Sequence, residues 1–433
     1  MTLEFFLCIV SLFVVAGIGA PIAYAILVAA IVYLAAGGQS IGVAGKVLMD
    51  GLYQSFIILA VPLFVVAANI MNAGTITDRL LRFCVAWVGR FRGGLGHVNV
   101  VASLIFSGMS GSAVADAAGI GKIIIVMMTR SGQYPRGYAA ALTAASATIG
   151  PIIPPSIPMV LYALVSNSSI GYLFLGGIIP GLLMGILLMA MNSWLSYRRG
   201  YALEDPVPIR KLPGLTVNAV PALLMPVILL YGIYGGVTTP TEAAAVAAAY
   251  ALILAAAFYR ALSIKKFFQI LVDSARTSAS IGLVIGGALI LNYVVASENI
   301  PSRVAQALVG LEVSPILFIL GVNLLLLLLG ALLDATTIIL VIIPLFIPTC
   351  TLLGIDLVHF GVVVVVNCMI GLITPPYGIL LFVINAVTRI PIVEIITESW
   401  LFLAVLVSAL LLMIVIPDIV LWLPRQFGYS PSP

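Results

Sequence analysis

The feature that most limits this chain is a series of apolar runs too long for an ordinary soluble core. Leu3–Ala16, Ala219–Tyr234, Ala243–Phe258, Ile316–Leu329 and Trp400–Val415 pass almost without a charge. A helix needs roughly 20 predominantly apolar residues to cross a bilayer, and these runs with their flanks are of that order. Only 8% of the residues are charged, against 63% hydrophobic, too few to cover the surface of a soluble protein of 433 residues. The expectation is an all-α polytopic membrane protein in contact with lipid on most of its outer surface.

The other composition signals exclude more than they assign. Met1–Glu4 carries no basic leader, and the apolar stretch runs on through Gly17, Gly19 and Pro21 into a second run. The start therefore reads as a first crossing and not as a cleavable signal. Cys8, Cys84, Cys350 and Cys368 are scattered through apolar stretches without a CxxC, the pattern of buried inert thiols. His97 and His359 stand far apart in sequence. No HExxH, Walker A, GxSxG or aspartate-rich motif is present, so neither ATP hydrolysis nor a membrane enzyme is indicated. No organic cofactor and no nucleic-acid partner is expected.

The chain repeats itself. At a shift of about 224 residues Ile57–Leu80 aligns with Ile281–Val304, and at about 221 Gly150-Pro-Ile-Ile-Pro-Pro155 aligns with Gly371-Leu-Ile-Thr-Pro-Pro376. Gly111…Asp116 resembles Gly330…Asp334, and Gly17…Pro21 echoes Gly235…Pro240. Four matches in one order predict two halves, 1–200 and 217–433, joined by a linker over 201–216. That linker region carries Arg198, Arg199, Glu204, Asp205, Arg210 and Lys211 and belongs in water. Each half reads as about five crossings with a re-entrant hairpin (about 95–130 and 315–349) and a broken helix (about 137–166 and 360–386).

An odd number of crossings inverts the second half. With both termini in the periplasm, the cytoplasmic segments hold Arg79, Arg82, Arg90, Arg92, Arg130, Arg136, Arg198, Arg199, Arg210, Lys211, Arg260, Lys265, Lys266 and Arg389. The other face keeps Lys46, Arg303 and Arg425, so the positive-inside rule is obeyed. Thr77–Arg92 reads as an amphipathic helix along the cytoplasmic interface, with Pro301–Leu311 as its counterpart on the opposite face.

Polar groups at membrane depth are costly and mark candidate function. The run Ser107-Gly-Met-Ser110-Gly-Ser112-Ala-Val-Ala-Asp116 offers glycine-freed carbonyls and hydroxyls that suit a hard monovalent cation, or equally the close packing of small residues. Pro151, Pro154, Pro155 and Pro158 crowd one span and break it. Asp334 follows the leucine run Leu324–Leu329 with no basic residue near it. It is either protonated or faces water or a cation. Asp116 lies beyond its tip, so its neutralisation is expected to matter less than that of Asp334. Half-helix N-termini at the breaks present positive dipole ends to an anion. Substrate is accordingly expected at Pro154, Pro155, Ser156, Thr337, Pro375 and Pro376. Glu242, after Pro240 in Thr239-Pro-Thr-Glu, reads as a helix cap and not as part of the site.

These motifs together resemble the large membrane (M) subunit of TRAP (tripartite ATP-independent periplasmic, DctM-like) transporters, over essentially the whole chain. The resemblance implies a small four-helix membrane subunit (Q), a periplasmic substrate-binding protein (P), and a small organic anion such as a carboxylate or sialic acid. It implies Na+ as the coupling ion, an elevator motion, and the bacterial inner membrane. Carried across by position, one Na+ site would involve Ser110, Ser112 and Gly150, and the other Gly330, Asp334, Gly371 and Thr374. A self-sufficient Na+/anion symporter of related hairpin architecture is the alternative.

The charge bias has a direct test. Single cysteines introduced at Arg210 and at Gly428 are treated with an impermeant thiol reagent in intact cells. The C-terminal one should react and the linker one should not; the opposite pattern refutes the inverted count.

Overall fold

A computed structural model describes residues 2–54, 56–72, 75–201, 203, 207–310 and 312–430. Glu204 and Asp205 of the linker and the tail 431–433 lie outside the described residues. The described residues contain helices and no β-strand, and a helix satisfies its own backbone within lipid. The first half runs α1 (Leu3–Gly17), α2 (Ile22–Ala36), α3 (Gly42–Gln54), α4 (Ala60–Met71), α5 (Thr75–Val88), α6 (Gly94–Ser110), α7 (Ala113–Asp116), α8 (Lys122–Arg130), α9 (Arg136–Ala147), α10 (Ile157–Ser166) and α11 (Ile170–Arg198). The second runs α12 (Leu212–Tyr234), α13 (Pro240–Ile253), α14 (Ile264–Ser297), α15 (Ile300–Gly310), α16 (Pro315–Gly330), α17 (Ala335–Thr337), α18 (Ile347–Leu352), α19 (Leu357–Gly371), α20 (Ile379–Thr388), α21 (Ile392–Val415) and α22 (Asp418–Gln426).

Among the described residues five helices are long and apolar enough to cross a membrane unaided: α11, α12, α13 with the π-helical turn that prolongs it to Phe258, α14 and α21. A sixth candidate is the pair around α3 and α4, bent by 71°. The remaining apolar helices are shorter; besides α1 and α2, which pack on each other, they flank interruptions of the chain. Proline is the physical cause at α9/α10 and α19/α20. Pro154–Pro155 and Pro375–Pro376 sit in the interruptions, both with cis peptide bonds. The return arms after α7 and α17 each pass through a π-helical turn, at Ala117–Gly121 and Ile338–Ile342.

Mutual packing sorts the helices into two groups. α1, α2, α3, α4, α13 and α14 pack on one another, with α5 against α12 and α12 against α13. α6, α9, α11, α16, α19, α21 and α22 form the other group, which also holds α10 and α20. The seam is formed by α4, α5, α12 and α14 on one side and by α6 and the α17 arm on the other. α5 turns Ile76, Leu80, Leu81 and Cys84 inward and leaves Asp78, Arg82 and Trp87 exposed, the pattern of an amphipathic helix. All four cysteines are free and buried. Thr239 and Glu242 form a reciprocal capping box at the start of α13: Thr239 N–H donates to Glu242 Oε2 (2.7 Å) and Glu242 N–H to Thr239 Oγ1 (3.3 Å).

In a bilayer, helix association cannot lean on water expulsion, so close packing and hydrogen bonds between helices hold the groups together. Tyr138 of α9 donates to Asn192 Oδ1 of α11 at 2.7 Å, and Asn192 Nδ2 donates to the Gly93 carbonyl before α6 at 3.1 Å. Asn192 is fully buried. Asn192→Leu leaves both partners without it, and should lower unfolding stability in micelles by about 1–2 kcal/mol. A loss close to zero would mean that these bonds are not what joins α6, α9 and α11.

Candidate functional site

Two reversals of the chain meet the seam. At the first, α6 ends at Ser110 and Gly111 turns with φ 59°, a value that favours glycine. Ser112 then caps α7 by accepting from the Ala115 N–H at 3.4 Å. That single helical turn carries Asp116 back under the tip, where Ser110 Oγ donates to Asp116 Oδ1 at 2.5 Å. Asp116 is 4% exposed, and its Oδ2 has no hydrogen-bond partner among the described residues. The same oxygen lies 2.6 Å from where a β-carbon on Gly150 would stand, so the first break packs directly on this carboxyl group.

Asp116, at the end of the tip run, therefore lies against Ser110 and Gly150. The sequence held the clue used for Asp334: a carboxylate inside an apolar stretch without an adjacent cation. The unpartnered carboxyl oxygen and the serine hydroxyl are hard oxygen donors of the kind that could hold a monovalent cation, and the missing side chain of Gly150 lets the break come close to them. Ser112 is spent mainly on its cap.

At the second reversal α16 ends at Gly330, and Asp334 caps α17. Its Oδ2 accepts from the Thr337 N–H at 3.1 Å and its Oδ1 from Thr337 Oγ1 at 2.6 Å. Asp334 is half-buried, and Thr337 is buried behind it. Gly330 and Gly371 meet backbone to backbone: a β-carbon on Gly371 would stand 2.8 Å from Gly330 Cα. Thr374, beyond the end of α19, donates to the Ile370 carbonyl at 2.9 Å. The structure thus brings Gly330 and Gly371 into contact, joins Asp334 to Thr337, and leaves Thr374 bonded to its own helix.

Between the tips and the opposite wall lies a cavity of about 490 Å³. Ser110, Gly111, Ser112, Asp334 and Thr336 line one side; Val65, Ala68 and Asn69 of α4 and Thr277 and Ile281 of α14 line the other. Asn69 Nδ2 donates to Ser274 Oγ at 2.8 Å and ties the two wall helices together. Asn69 also lines a second cavity of about 280 Å³ with Asn72, Lys266 and Gln269. The residues expected to meet substrate lie just off the cavity wall. Pro154, Pro155 and Ser156 are buried, Ser156 donating to the Pro151 carbonyl and accepting from the Met159 N–H. Pro376 is exposed, and Pro375 is half-buried outside the lining. Their neighbours Pro151, Ile157, Pro158, Leu372 and Ile379 form the wall, and Thr336 takes the place expected for Thr337. Among the described residues no group of three or more His, Cys, Asp or Glu side chains could hold a metal ion.

An all-helical chain with several bilayer-length apolar helices and interrupted ones converging on an interior cleft has the build of a multi-pass membrane permease. The family model described as "Tripartite ATP-independent periplasmic transporter, DctM component" matches residues 9–419. The chain belongs to this family of transporter subunits and is not an enzyme. It is 40% identical over 414 residues to the sialic acid TRAP transporter large permease protein SiaM of Vibrio cholerae, covering 95% of this chain and 96% of that protein. It is 38% identical over 377 residues to the C4-dicarboxylate TRAP transporter large permease protein DctM of Pseudomonas aeruginosa, covering 87% and 88%. Among solved structures, the Alcanivorax borkumensis YdaH transporter superposes with a TM-score of 0.61 at 16% identity, over 89% of each chain. That likeness concerns the fold.

The glycine contact gives a prediction. Gly371→Ala must push α16 off α19, an overpacking cost of about 1–3 kcal/mol. Gly330→Ala, whose added carbon would stand 3.2 Å from Gly371 Cα, should be milder. Thermal unfolding of the purified variants in micelles should rank them in that order. Equal midpoints would mean the approach is not tight.

Proposed function

We propose that this chain is the translocating subunit of a three-part, Na+-coupled importer of a small organic anion in the bacterial inner membrane. The observation that carries the reading is the cavity in the seam, flanked by two chain reversals that each own a carboxylate, Asp116 and Asp334. A carboxylate at membrane depth is favoured when a cation sits with it. One Na+ is assigned to the Ser110, Asp116 and Gly150 neighbourhood, the other to Gly330, Asp334 and Gly371. The anion lies between the tips and the α4/α14 wall. Relatives that handle sialic acid and C4-dicarboxylates support a carboxylate substrate.

The two halves act as inverted repeats, and the group containing α6, α9, α16 and α19 moves as one body along the group containing α4, α13 and α14. This elevator motion carries the cavity from one face to the other. A small membrane subunit braces the group containing α4, α13 and α14, and a periplasmic binding protein delivers the anion. Both termini face the periplasm.

The test is initial uptake into proteoliposomes holding this chain with its small subunit and its binding protein. A labelled sialic acid and a labelled C4-dicarboxylate serve as probes. Uptake should require Na+ and the binding protein. Asp334→Asn and Asp116→Asn should each raise the Na+ concentration for half-maximal uptake about tenfold or more, by analogy with the loss of a metal-site partner. Uptake driven by a pH gradient alone would overturn Na+ coupling. Uptake without the binding protein would favour the self-sufficient symporter.

A further inference from the structure

Two polar stitches lie beneath the tips, one in each half. In the first, Asn99 of α6 donates from Nδ2 to Thr143 Oγ1 of α9 at 2.7 Å, and its Oδ1 accepts from Ser146 Oγ at 3.3 Å. In the second, Asn367 of α19 donates from Nδ2 to both the backbone oxygen and Oδ1 of Asn323 in α16, at 2.7 and 2.8 Å. Asn99, Ser146 and Asn367 are fully buried, and Asn323 is 4% exposed. Asn99 and Asn323 are separated by 224 residues and Ser146 and Asn367 by 221, the same shifts that relate the motifs of the two halves. In each half an asparagine of the hairpin arm thus bonds to a polar side chain of the equivalent break helix, at the position one turn before its glycine.

We propose that these stitches are positioning devices: they fix how far each hairpin arm slides along the helix that precedes the break, and so place the cation ligands at the tips. The inference rests on the Na+-coupled reading above. In α16, Pro315–Gly330, Asn323 is the only side chain with hydrogen-bonding atoms. Sliding α16 by one turn, about 5.4 Å, would strand that amide among aliphatic groups, where an unpaired polar group is costly. A single buried amide sets register in coiled coils by the same logic. Asn367 Nδ2 faces two acceptors and Asn323 Nδ2 donates to the Ile319 carbonyl at 2.8 Å, so the orientation of both amides is determined. Asn367 lies one turn before Gly371 and Ser146 one turn before Gly150. Register set at the stitch is therefore transmitted almost directly to the glycines where the tips meet the breaks.

The second stitch is the cleaner one to test, with three variants in the complex with the small subunit. Asn367→Leu alone strands Asn323 and confounds stability with position. The double variant Asn323→Leu/Asn367→Leu removes the pair without leaving an unpaired amide side chain, which restores stability more readily. Asn367→Ser installs the residue found at the matching place in the first half. Each is measured for thermal midpoint without Na+ and for the Na+ dependence of both midpoint and uptake. The double variant should keep its Na+-free midpoint yet need about tenfold more Na+, as for the loss of an outer-shell partner. Asn367→Ser should stay close to the unaltered protein. Unchanged Na+ dependence in a folded double variant overturns the stitch while leaving Na+ coupling intact. Indifference of the unaltered protein to Na+ overturns the coupled reading and this inference with it. Should the double variant fail to assemble, Asn367→Ser decides: a Na+ requirement as high as that of Asn367→Leu goes against the stitch.

Discussion

Lipid offers no hydrogen bonds, and that one constraint organises the molecule. A helix interrupted inside a bilayer must find partners for its freed N–H and C=O groups in other parts of the protein or in a water-filled cavity. The chain ends beyond α6, α9, α16 and α19 are therefore drawn together instead of being scattered on the surface. Ser112, Ser156 and Asp334 supply side-chain caps to the helices that restart, each accepting an N–H within its first turn. The group holding α12, α13 and α14 has longer uninterrupted spans, and its side-chain caps, such as Thr239 before α13, stand at the ends of those spans and not at breaks within them.

Much of this was legible because broken helices announce themselves. Proline pairs at a fixed distance from a glycine, a glycine–serine run and an isolated aspartate after six leucines are strong departures from an apolar background. The exposed and buried faces of α5 and the capping box at Thr239 and Glu242 could be read from local rules alone. What sequence could not supply was which side of each interruption faces the cavity. Pro154, Pro155 and Ser156 mark the break, yet they are packed behind it, and Pro151, Ile157 and Pro158 show through. A shift of three residues through an irregular turn reverses a side chain's direction, and no periodicity governs irregular turns.

Asp116 shows the complementary difficulty. Six residues separate it from Ser110, a spacing that on a continuous helix would place the two on different faces. Gly111 breaks the helix, the single turn of α7 reverses the chain, and the carboxyl group arrives under the hydroxyl it left behind. Its environment was made by the glycine, not by the helix. The polar stitches were missed for another reason: Asn99, Asn323 and Asn367 look like isolated tolerated amides until the facing helix is known.

The two caps at the cavity differ in kind, and this gives the cleft an electrical polarity. At one tip the capping group is a neutral serine, with the carboxyl of Asp116 buried beneath. At the other, Asp334 itself stands at the helix start and on the cavity wall. When Asp334 is ionised with no cation to offset it, while Asp116 is neutral or paired with a cation, an anionic solute in the cleft is repelled from the Asp334 end and finds its lower energy beside Ser110 and Ser112. The cavity walls are otherwise mostly apolar, so little screens the difference. A cation bound at Asp334, as proposed above, would then work as a voltage setting for the whole cleft: it changes the end at which negative charge is tolerated without moving a wall.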